Sequence, residues 1–376
     1  MQQWQFELNN ILHSDFIEPN PLRPISSRGF ALYGAGAMGK MAMDFLECTN
    51  ILPLYIVDQK ITGSIKGINI IKPTEIPSED KISLTFFVCI ATLPLNDLYK
   101  HLNQLGCVDI RHFYDLSEYL FPKMMSNGWI ARDVLKDELV SILNVLEHDN
   151  CSVAHYLQFL WWRLKRKEKI APNYPVLSNK KFFNAPCIPE FKDNEKFLDG
   201  GAHQGQTILS FLEKTDLKYD TIWAFEPDTN NLKVLREKIQ NNIKIYDKAL
   251  WIKCDRLFFQ DNFCYASKIS NNGKVSINAV SIDSLEIDPT IIKLHVEGSE
   301  NEVLQGAFKT IKRSRPIVMV LADHNQDGIY NIPNYLAKFE SYSIYFHLHD
   351  FCGNSAVYYA IPKERDKIKN IKGVLA

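Results

Sequence analysis

Short apolar runs alternate with helix-like spacing of apolar residues through the first part of the chain. The runs typical of strands are 29–33, 53–58, 86–90 and 109–113, and the helical segments between them are 38–48 and 95–105. Strands that alternate with helices form a parallel sheet with crossover connections on its faces. We therefore expect residues 1–115 to form a small Rossmann-like domain.

Helical periodicity replaces this alternation between residues 116 and 179. Amphipathic helices are predicted at 134–146 and 153–164, and a basic run follows Trp161 and Trp162 at the end of the second helix. Such a run could bind a membrane surface or an anionic substrate. The pattern favours a helix that buries its tryptophans against a neighbouring domain and leaves its cations solvated at the C-terminus. We interpret this segment as a helical connector.

The alternation resumes at residue 180 with greater regularity. Predicted strands lie at 196–199, 220–225, 243–246, 291–296 and 316–321, and predicted helices at 206–212, 229–239 and 299–311. Segments 341–347 and 356–361 are typical of a closing antiparallel pair. The fold class is therefore α/β, with two Rossmann-like domains, the second spanning 180–376 around a seven-stranded sheet, joined by the connector.

The composition fits two folded domains and narrows the classes of function. The chain has 376 residues, 46% of them hydrophobic, and its net charge of −1 does not attract a polyanion such as nucleic acid. We expect no signal peptide at the N-terminus, and no apolar run is long enough to form a transmembrane segment. Eight scattered cysteines without C-x-x-C spacing indicate reduced thiols. We expect a cytoplasmic protein that binds no nucleic acid.

The strongest chemical signal is FLDGGAHQGQT at 197–207, where a strand ends in an acidic residue and a glycine turn leads into a helix. Glycines let the backbone pass close to a ligand, and the helix presents free N–H groups. The carboxylate suits the amino group of S-adenosylmethionine and would repel the pyrophosphate of a dinucleotide. The candidate cofactor residues in this turn are Asp199, Gly200, Gly201, Ala202 and Gly205.

A second acidic residue ends the next predicted strand. The segment IWAFEPD at 222–228 places Glu226 27 residues after Asp199. A carboxylate at this position accepts hydrogen bonds from two ribose hydroxyls in folds that bind adenosine. The order and spacing of the two acids predict an S-adenosylmethionine site, to which we also assign Pro227 and Asp247.

These motifs, with VSIDSL at 280–285, IKLHVEGSE at 292–300 and VLQGA at 303–307, resemble the FkbM-type methyltransferases over about residues 180–362. The resemblance implies a class I methyltransferase fold and S-adenosylmethionine-dependent O-methyl transfer, which many members perform on sugars, polysaccharides or secondary metabolites. Residues around Asp323-His324 and Tyr342–Tyr345 are similar to a subgroup found beside bacterial surface-glycan genes, which implies a glycan substrate.

The chain departs from the family pattern at His295, where members usually have Asp. With an ordinary pKa of about 6.5, this histidine could act as a general base at the end of the fourth strand, or it could mark lost activity. Glu297 lies on the same side of an extended strand and would hold a hydroxyl or orient a neighbour. Lys293 either belongs to the site or pairs with a carboxylate. Asp323 follows the fifth strand and completes the candidate catalytic set.

Histidines near the C-terminus raise the possibility of a metal site. His324, His347 and His349 lie in the sequence with Asp323 and Asp350, and such ligands bind transition metals. His347 and His349 have strand spacing close to a predicted hairpin turn, which favours exposed polar side chains instead. We therefore predict no metal.

The N-terminal domain has a glycine turn of its own, YGAGAMG at 33–39. It opens a helix after a strand, and Asp58 ends the next strand at the spacing of a dinucleotide fingerprint. Gly34, Gly36, Gly39 and Asp58 are therefore candidates to bind a nucleotide, a nucleotide sugar or NAD. The domain is half the length of a full dinucleotide fold, so a role in docking or homo-oligomer formation is the alternative.

Three functions remain open on these residues. The leading one is O-methyl transfer from S-adenosylmethionine to a hydroxyl of a sugar, a nucleotide sugar or a surface glycan. An NAD-dependent sugar oxidoreductase is disfavoured because Asp199 and Glu226 give the second domain a different ligand. A non-catalytic binding protein that lost its base at His295 is the third. The expected partner is a small-molecule or glycan substrate.

Overall fold

The computed structural model describes residues 3–14, 25–120, 128–131, 134–239, 243–260, 268–269 and 275–366. The described residues form an α/β protein, as the sequence predicts. Among them, no helix is both long enough and apolar enough to cross a membrane.

The first sheet has six strands in the order β3-β4-β2-β1-β5-β6, parallel except for the β3–β4 pair. Its strands are β1 (Phe30–Tyr33), β2 (Ile56–Val57), β3 (Gly63–Ile65), β4 (Ile68–Ile71), β5 (Thr85–Val88) and β6 (Asp109–His112). The preceding and intervening helices are α1 (Gln3–His13), α2 (Ala37–Thr49), α3 (Ser78–Ser83), α4 (Leu95–Gln104) and α5 (Phe113–Leu120). The four strands predicted here are all present. The β3–β4 hairpin was not predicted, because its strands are only three and four residues long and none of their side chains is fully buried.

Two helices of the connector follow, α6 (Lys136–Leu146) and α7 (Asn150–Lys165). The second half then gives β7 (Lys196–Gly200), α8 (Gln206–Lys214), β8 (Thr221–Phe225), α9 (Thr229–Lys238), β9 (Ile243–Tyr246), β10 (Ala249–Leu250), β11 (Asp255–Gln260), β12 (Lys268–Ile269), β13 (Val275–Val280), β14 (Ile291–Leu294), α10 (Glu300–Gln305), α11 (Phe308–Ser314), β15 (Ile317–Leu321), α12 (Asn331–Leu336), β16 (Tyr342–Leu348) and β17 (Ala356–Pro362).

The predicted seven-stranded sheet is confirmed, in the order β16-β17-β15-β14-β7-β8-β9. Strands β15, β14, β7, β8 and β9 are parallel, and β17 runs antiparallel to both of its neighbours. The helix predicted at 299–311 is two helices instead. They are separated at Gly306, where an added Cβ would collide with the carbonyl oxygen of Trp251. This close approach of two backbones is a contact that sequence periodicity does not encode.

A smaller sheet of the order β10-β13-β11-β12 was not predicted. Strand β13 alternates exposed and buried positions, with an exposed serine, an exposed asparagine and a single large apolar side chain, Ile277, buried. Strands β10 and β12 have only two residues each, too few for a strand pattern to be recognised in the sequence.

Helix α7 packs between the two large sheets. Trp161 lies in the same apolar cluster as the seven-stranded sheet, and Trp162 lies in the cluster of the first sheet. Burial of both tryptophans was predicted. The prediction of solvated cations was wrong for Arg163 and Arg166, which are both buried. Helix α1 packs with α6 and α7, and its apolar residues belong to the same cluster as the seven-stranded sheet. The division at residues 115 and 179 stays a prediction.

Arg163 is buried because backbone carbonyls surround its guanidinium. Its Nη1 donates to Trp129 O at 3.2 Å, and its Nη2 donates to Asp323 O and Gly353 O, each at 3.1 Å. The guanidinium also lies 4.1 Å from the ring centroid of Trp129. One side chain of the connector thus holds two loops of the second half in place.

Removing this guanidinium should destabilise the fold, because buried carbonyls lose their donors. We expect Arg163→Met to lower the free energy of unfolding by about 2–4 kcal/mol, measured by urea denaturation. Arg256→Met, at an exposed arginine of β11, is the matched control and should change stability by less than about 0.5 kcal/mol. Equal effects of the two substitutions would contradict the structural role of Arg163.

Candidate active site

The C-terminal glycine turn connects β7 to α8 beneath a cavity. Gly201 has φ +72°, and a Cβ there would collide with the carbonyl oxygen of His295. Gly205, with φ +85°, caps the N-terminus of α8 without a side chain. Because residue 205 is a glycine, no side chain at this position caps the backbone N–H groups in the first turn of α8.

Asp199 lies behind this turn and does not line the cavity. Its Oδ1 accepts a hydrogen bond of 2.7 Å from Lys293 Nζ, which also donates to Gly200 O at 3.2 Å and to Gly201 O at 2.7 Å. Both side chains are at most 1% exposed. Burial raises the pKa of Asp199, and the Lys293 ammonium opposes that rise. Asp199 thus forms an ion pair that holds the turn, while its Oδ2 has no hydrogen-bond partner among the described residues. The contact between Asp199 and a ligand stays a prediction.

Glu226 ends β8 at the edge of the same cavity. Its Oε2 accepts from the backbone N–H of His203 at 2.7 Å, and its Oε1 accepts from that of Asp228 at 2.9 Å. Burial raises the pKa of Glu226 to about 7, against the lowering effect of these two N–H groups. The second acid is therefore tied directly to the glycine turn.

We call the space above this turn the C-terminal cavity; its volume is about 470 Å³. Residues that line it include Gly201, Ala202, Phe225, Glu226, Pro227, Leu250, Lys293, His295 and Glu297. Of the predicted cofactor residues, Asp199, Gly200, Gly205 and Asp247 do not line it. Asp247 is exposed, whereas the next three residues, 248–250, form part of the wall.

The Glu297 carboxylate lies between two imidazoles. Its Oε1 is 3.1 Å from His295 Nε2, and its Oε2 is 3.1 Å from His324 Nδ1. The two rings stack at a centroid distance of 4.9 Å. Glu297 adopts φ +51°, a left-handed conformation that non-glycine residues rarely adopt and that concentrates at functional sites.

The protonation states of this cluster follow from its contacts. Burial lowers the pKa of His295 to about 4, although Glu297 opposes the effect. Burial also disfavours the cation of His324, but the charges of Glu297 and Asp323 raise its pKa to about 10. The His324 charge and the two hydrogen bonds lower the pKa of Glu297 despite its burial. At neutral pH, therefore, His295 is neutral, Glu297 is an anion and His324 is a cation.

A second space, the interdomain cavity, lies between the two halves of the chain and has a volume of about 690 Å³. Its walls include Gly34, Gly36 and Asp58 from the first half, and His295, Glu297, Asp323 and His324 from the second. Lys181, His295 and Glu297 line both cavities. The structure thus brings three of the four predicted catalytic residues to the interdomain cavity and places Lys293 at the C-terminal cavity.

Sequence reasoning missed several residues of the interdomain cavity. Lys181 is half-buried, its Nζ donates to Ser355 Oγ at 3.3 Å, and desolvation lowers its pKa. Ser355 N also donates to Asp323 Oδ2 at 2.8 Å. Asp350 and Asn354 complete this wall. These residues belong to the segment before β7 and the loop before β17, and they carry no motif that would have revealed them.

The prediction that His347 and His349 are exposed was wrong, since both are 2% exposed. His349 Nδ1 is 3.0 Å from Leu177 O, in the connector, and its Nε2 is 2.7 Å from Tyr359 Oη. These two contacts account for the buried position of the ring. Potential metal-ligand atoms lie within 4.8 Å of one another in two groups of described residues, Cys151–His155–His347 and His295–Glu297–His324.

The N-terminal glycine turn has the geometry that its motif predicts. Gly34 has φ +116°, and a Cβ at Gly39 would collide with the carbonyl oxygen of Gly34, so that α2 packs tightly on β1. A Cβ at Gly36 would meet no atom within 4 Å. Asp58 Oδ2 accepts a 2.8 Å hydrogen bond from Ala35 N.

Comparison with solved structures identifies a similar fold. The crystal structure of methyltransferase FkbM from Methylobacillus flagellatus KT shares the fold with a TM-score of 0.66 at 19% identity, over 95% of this chain and 98% of that chain. Precorrin-6y C5,15-methyltransferase from Geobacter metallireducens GS-15 is 10% identical over 45% of this chain and 80% of that chain, with a TM-score of 0.29. An SAH-bound methyltransferase from Podospora anserina is 14% identical over 61% and 89%, with a TM-score of 0.28. The last two scores are too low to establish a shared fold.

The family of the C-terminal half follows from its sequence. Residues 199–342 match the family model described as the methyltransferase FkbM domain. Residues 199–342 therefore form an FkbM methyltransferase domain, which implies methylation with S-adenosylmethionine. No protein of curated function matches the chain at a significant level.

Breaking the buried ion pair should destabilise the domain, because one charge would be left without its partner. We expect Lys293→Met to lower the free energy of unfolding by about 3–5 kcal/mol in urea titrations. The double variant Asp199→Asn with Lys293→Met should recover much of this loss, and Lys233→Met, at an exposed lysine of α9, should have little effect. A double variant that loses the sum of both single losses would rule out the coupling.

Proposed function

We propose that the protein is an S-adenosylmethionine-dependent O-methyltransferase whose acceptor is a hydroxyl of a sugar or glycan. The observation that carries this proposal is the meeting of two cavities at Lys181, His295 and Glu297. One cavity suits the methyl donor and the other suits the acceptor. Methyl transfer requires the two substrates to meet at a near-attack distance, which a shared wall of this kind permits.

The C-terminal cavity fits the methyl donor. Its volume lies within the range of about 300–1,000 Å³ that is typical of ligand pockets. The glycine turn lets the ligand approach the backbone, Glu226 retains lone pairs for ribose hydroxyls, and Phe225 and Leu250 give apolar walls. S-adenosylmethionine supplies an electrophilic methyl group bonded to a sulfonium sulfur. As the methyl group is transferred, its bond to sulfur breaks and the remainder of the molecule leaves as a neutral thioether.

His295 is the proposed base. With Nε2 donating to Glu297, its lone pair lies on Nδ1, where it can accept the proton that the acceptor hydroxyl loses as its oxygen bonds to the methyl carbon. Glu297 fixes this tautomer and stabilises the imidazolium that forms. It is itself held in place by the His324 cation. His295, Glu297 and His324 would thus together remove the acceptor proton, where most family members would use a single aspartate at position 295.

The acceptor side suits a ligand rich in hydroxyl groups. Asp323, Asp350, Asn354 and Ser355 offer carboxylate, amide and hydroxyl groups to the interdomain cavity. Asp323 Oδ1 has no hydrogen-bond partner among the described residues, and an acceptor hydroxyl could supply one whereas an apolar acceptor could not. This polarity supports a sugar or glycan acceptor.

Binding of S-adenosylhomocysteine should depend on the charge of Glu226. Because the pKa of this carboxyl is raised to about 7, its anionic form is lost as the pH falls below 7, and affinity should fall with it. Glu226→Gln should weaken binding by about tenfold or more at pH 8 and remove this dependence, measured by calorimetry. Glu213→Gln, exposed on α8, is the control. A wild-type affinity that is constant across this range would contradict the assignment of Glu226.

The pH dependence of turnover tests His295. A base acts in its neutral form, and a pKa of about 4 keeps His295 neutral well below pH 7, so kcat at about pH 5 should stay within about twofold of its value at pH 7. His295→Ala should lower kcat by about 100- to 10,000-fold and leave the Kd of S-adenosylhomocysteine within about threefold. His295→Asp should retain activity. An undiminished kcat in His295→Ala would exclude this base.

A further inference from the structure

The N-terminal glycine turn and the proposed reaction centre face one cavity. Gly34 and Gly36 form one end of the interdomain cavity, and His295 and Glu297 form part of the other. This proximity could not be expected from the sequence, because the two motifs lie more than 250 residues apart. A ligand held at the first end therefore extends toward the groups that would activate an acceptor hydroxyl.

The same local arrangement of strand, glycine turn, helix and acidic residue occurs in both halves of the chain. In each, a strand ends at a glycine turn, a helix begins there, and the acid that ends the next strand accepts a hydrogen bond from the turn: Asp58 Oδ2 from Ala35 N at 2.8 Å, and Glu226 Oε2 from His203 N at 2.7 Å. Asp58 Oδ1 also accepts from Lys60 N and Ile61 N, each at 2.8 Å. These contacts keep Asp58 ionised and oriented, with lone-pair capacity left for a hydroxyl.

The N-terminal turn is open where a phosphate would bind. Gly36 begins α2 without a side-chain cap, and a Cβ on it would meet no atom within 4 Å. Helix α2 has 13 residues, so its first N–H groups carry the partial positive charge of a full helix. Lys60 and Lys181 supply two cations along the same cavity.

The opposite end of the cavity contains buried polar atoms that could form hydrogen bonds with a ligand. Asp323 Oδ1 and His324 Nε2 have no hydrogen-bond partner among the described residues. They lie 3.8 Å apart, too far for a hydrogen bond, and their side chains are 3% and 4% exposed. Buried polar groups of native proteins are almost always paired, so these atoms indicate a polar ligand.

We propose that the interdomain cavity binds the methyl acceptor as a nucleoside-diphosphate-linked sugar. The nucleoside and diphosphate lie on the glycine turn and Asp58, and the sugar lies beside His295, Glu297 and Asp323. This inference rests on the proposed methyl transfer and names its substrate class. The volume of about 690 Å³ is of the size that such a ligand requires.

The experiment is calorimetry of the full chain with ADP, CDP, GDP, UDP, dTDP, NAD and, separately, S-adenosylhomocysteine. We expect one nucleoside diphosphate to bind, and Gly36→Val to weaken it by at least about tenfold while the Kd of S-adenosylhomocysteine stays within about threefold. Gly36→Ala, the smaller change, should give an intermediate loss. Ile82→Ala, at an exposed residue of α3 outside the cavity, should leave both affinities unchanged.

Turnover then distinguishes the acceptor role from mere binding. The sugar derivative of the nucleoside diphosphate that binds should be methylated, and the free nucleoside diphosphate should compete with it and not with S-adenosylmethionine. No binding of any nucleoside diphosphate, with methylation of free sugars intact, would overturn this inference and leave the proposed function standing. Failure of S-adenosylhomocysteine to bind would overturn both. Binding of NAD with hydride transfer would overturn both in favour of an oxidoreductase.

Discussion

The Glu297 carboxylate is held between the imidazoles of His295 and His324, and the geometry of both cavities depends on it. Its left-handed backbone aims the carboxylate inward, and Gly298, with φ +105°, follows at once. Glu300 secures the turn, because its carboxylate accepts hydrogen bonds from Val296 N and Gly298 N, each at 3.0 Å. The strain of one residue is thus offset by contacts on either side of it.

The two cavities remain adjacent because the connector joins the two halves through buried charges. Helix α7 places Arg163 on the loop that contains Asp323, and Arg166, just beyond its end, on Tyr114 of α5 and on Gly128. Because a buried arginine is costly without such contacts, these hydrogen bonds favour the observed arrangement of the two halves. A stable cleft between them follows from this constraint.

Local sequence predicted the parts of the site that are built locally. The two glycine turns, Glu226 and the positions of the seven strands along the chain follow from motif and periodicity, which act over a few residues. The inward position of Asp199 could not be predicted, because it depends on the register that sets β14 beside β7 and so places Lys293 opposite it. Lys181 joins the site from a segment without regular structure. The burial of His349 likewise depends on packing against residues distant in sequence.

A crystal structure of the protein with S-adenosylhomocysteine would test most directly whether methyl donor and acceptor meet at the junction of the two cavities. We expect the adenosine to lie against Glu226 in the C-terminal cavity, and the thioether sulfur to lie at the junction beside His295 and Glu297, facing the interdomain cavity. A ligand bound in the N-terminal glycine turn, or one whose sulfur faces away from His295, would contradict the claim that methyl donor and acceptor meet at this junction.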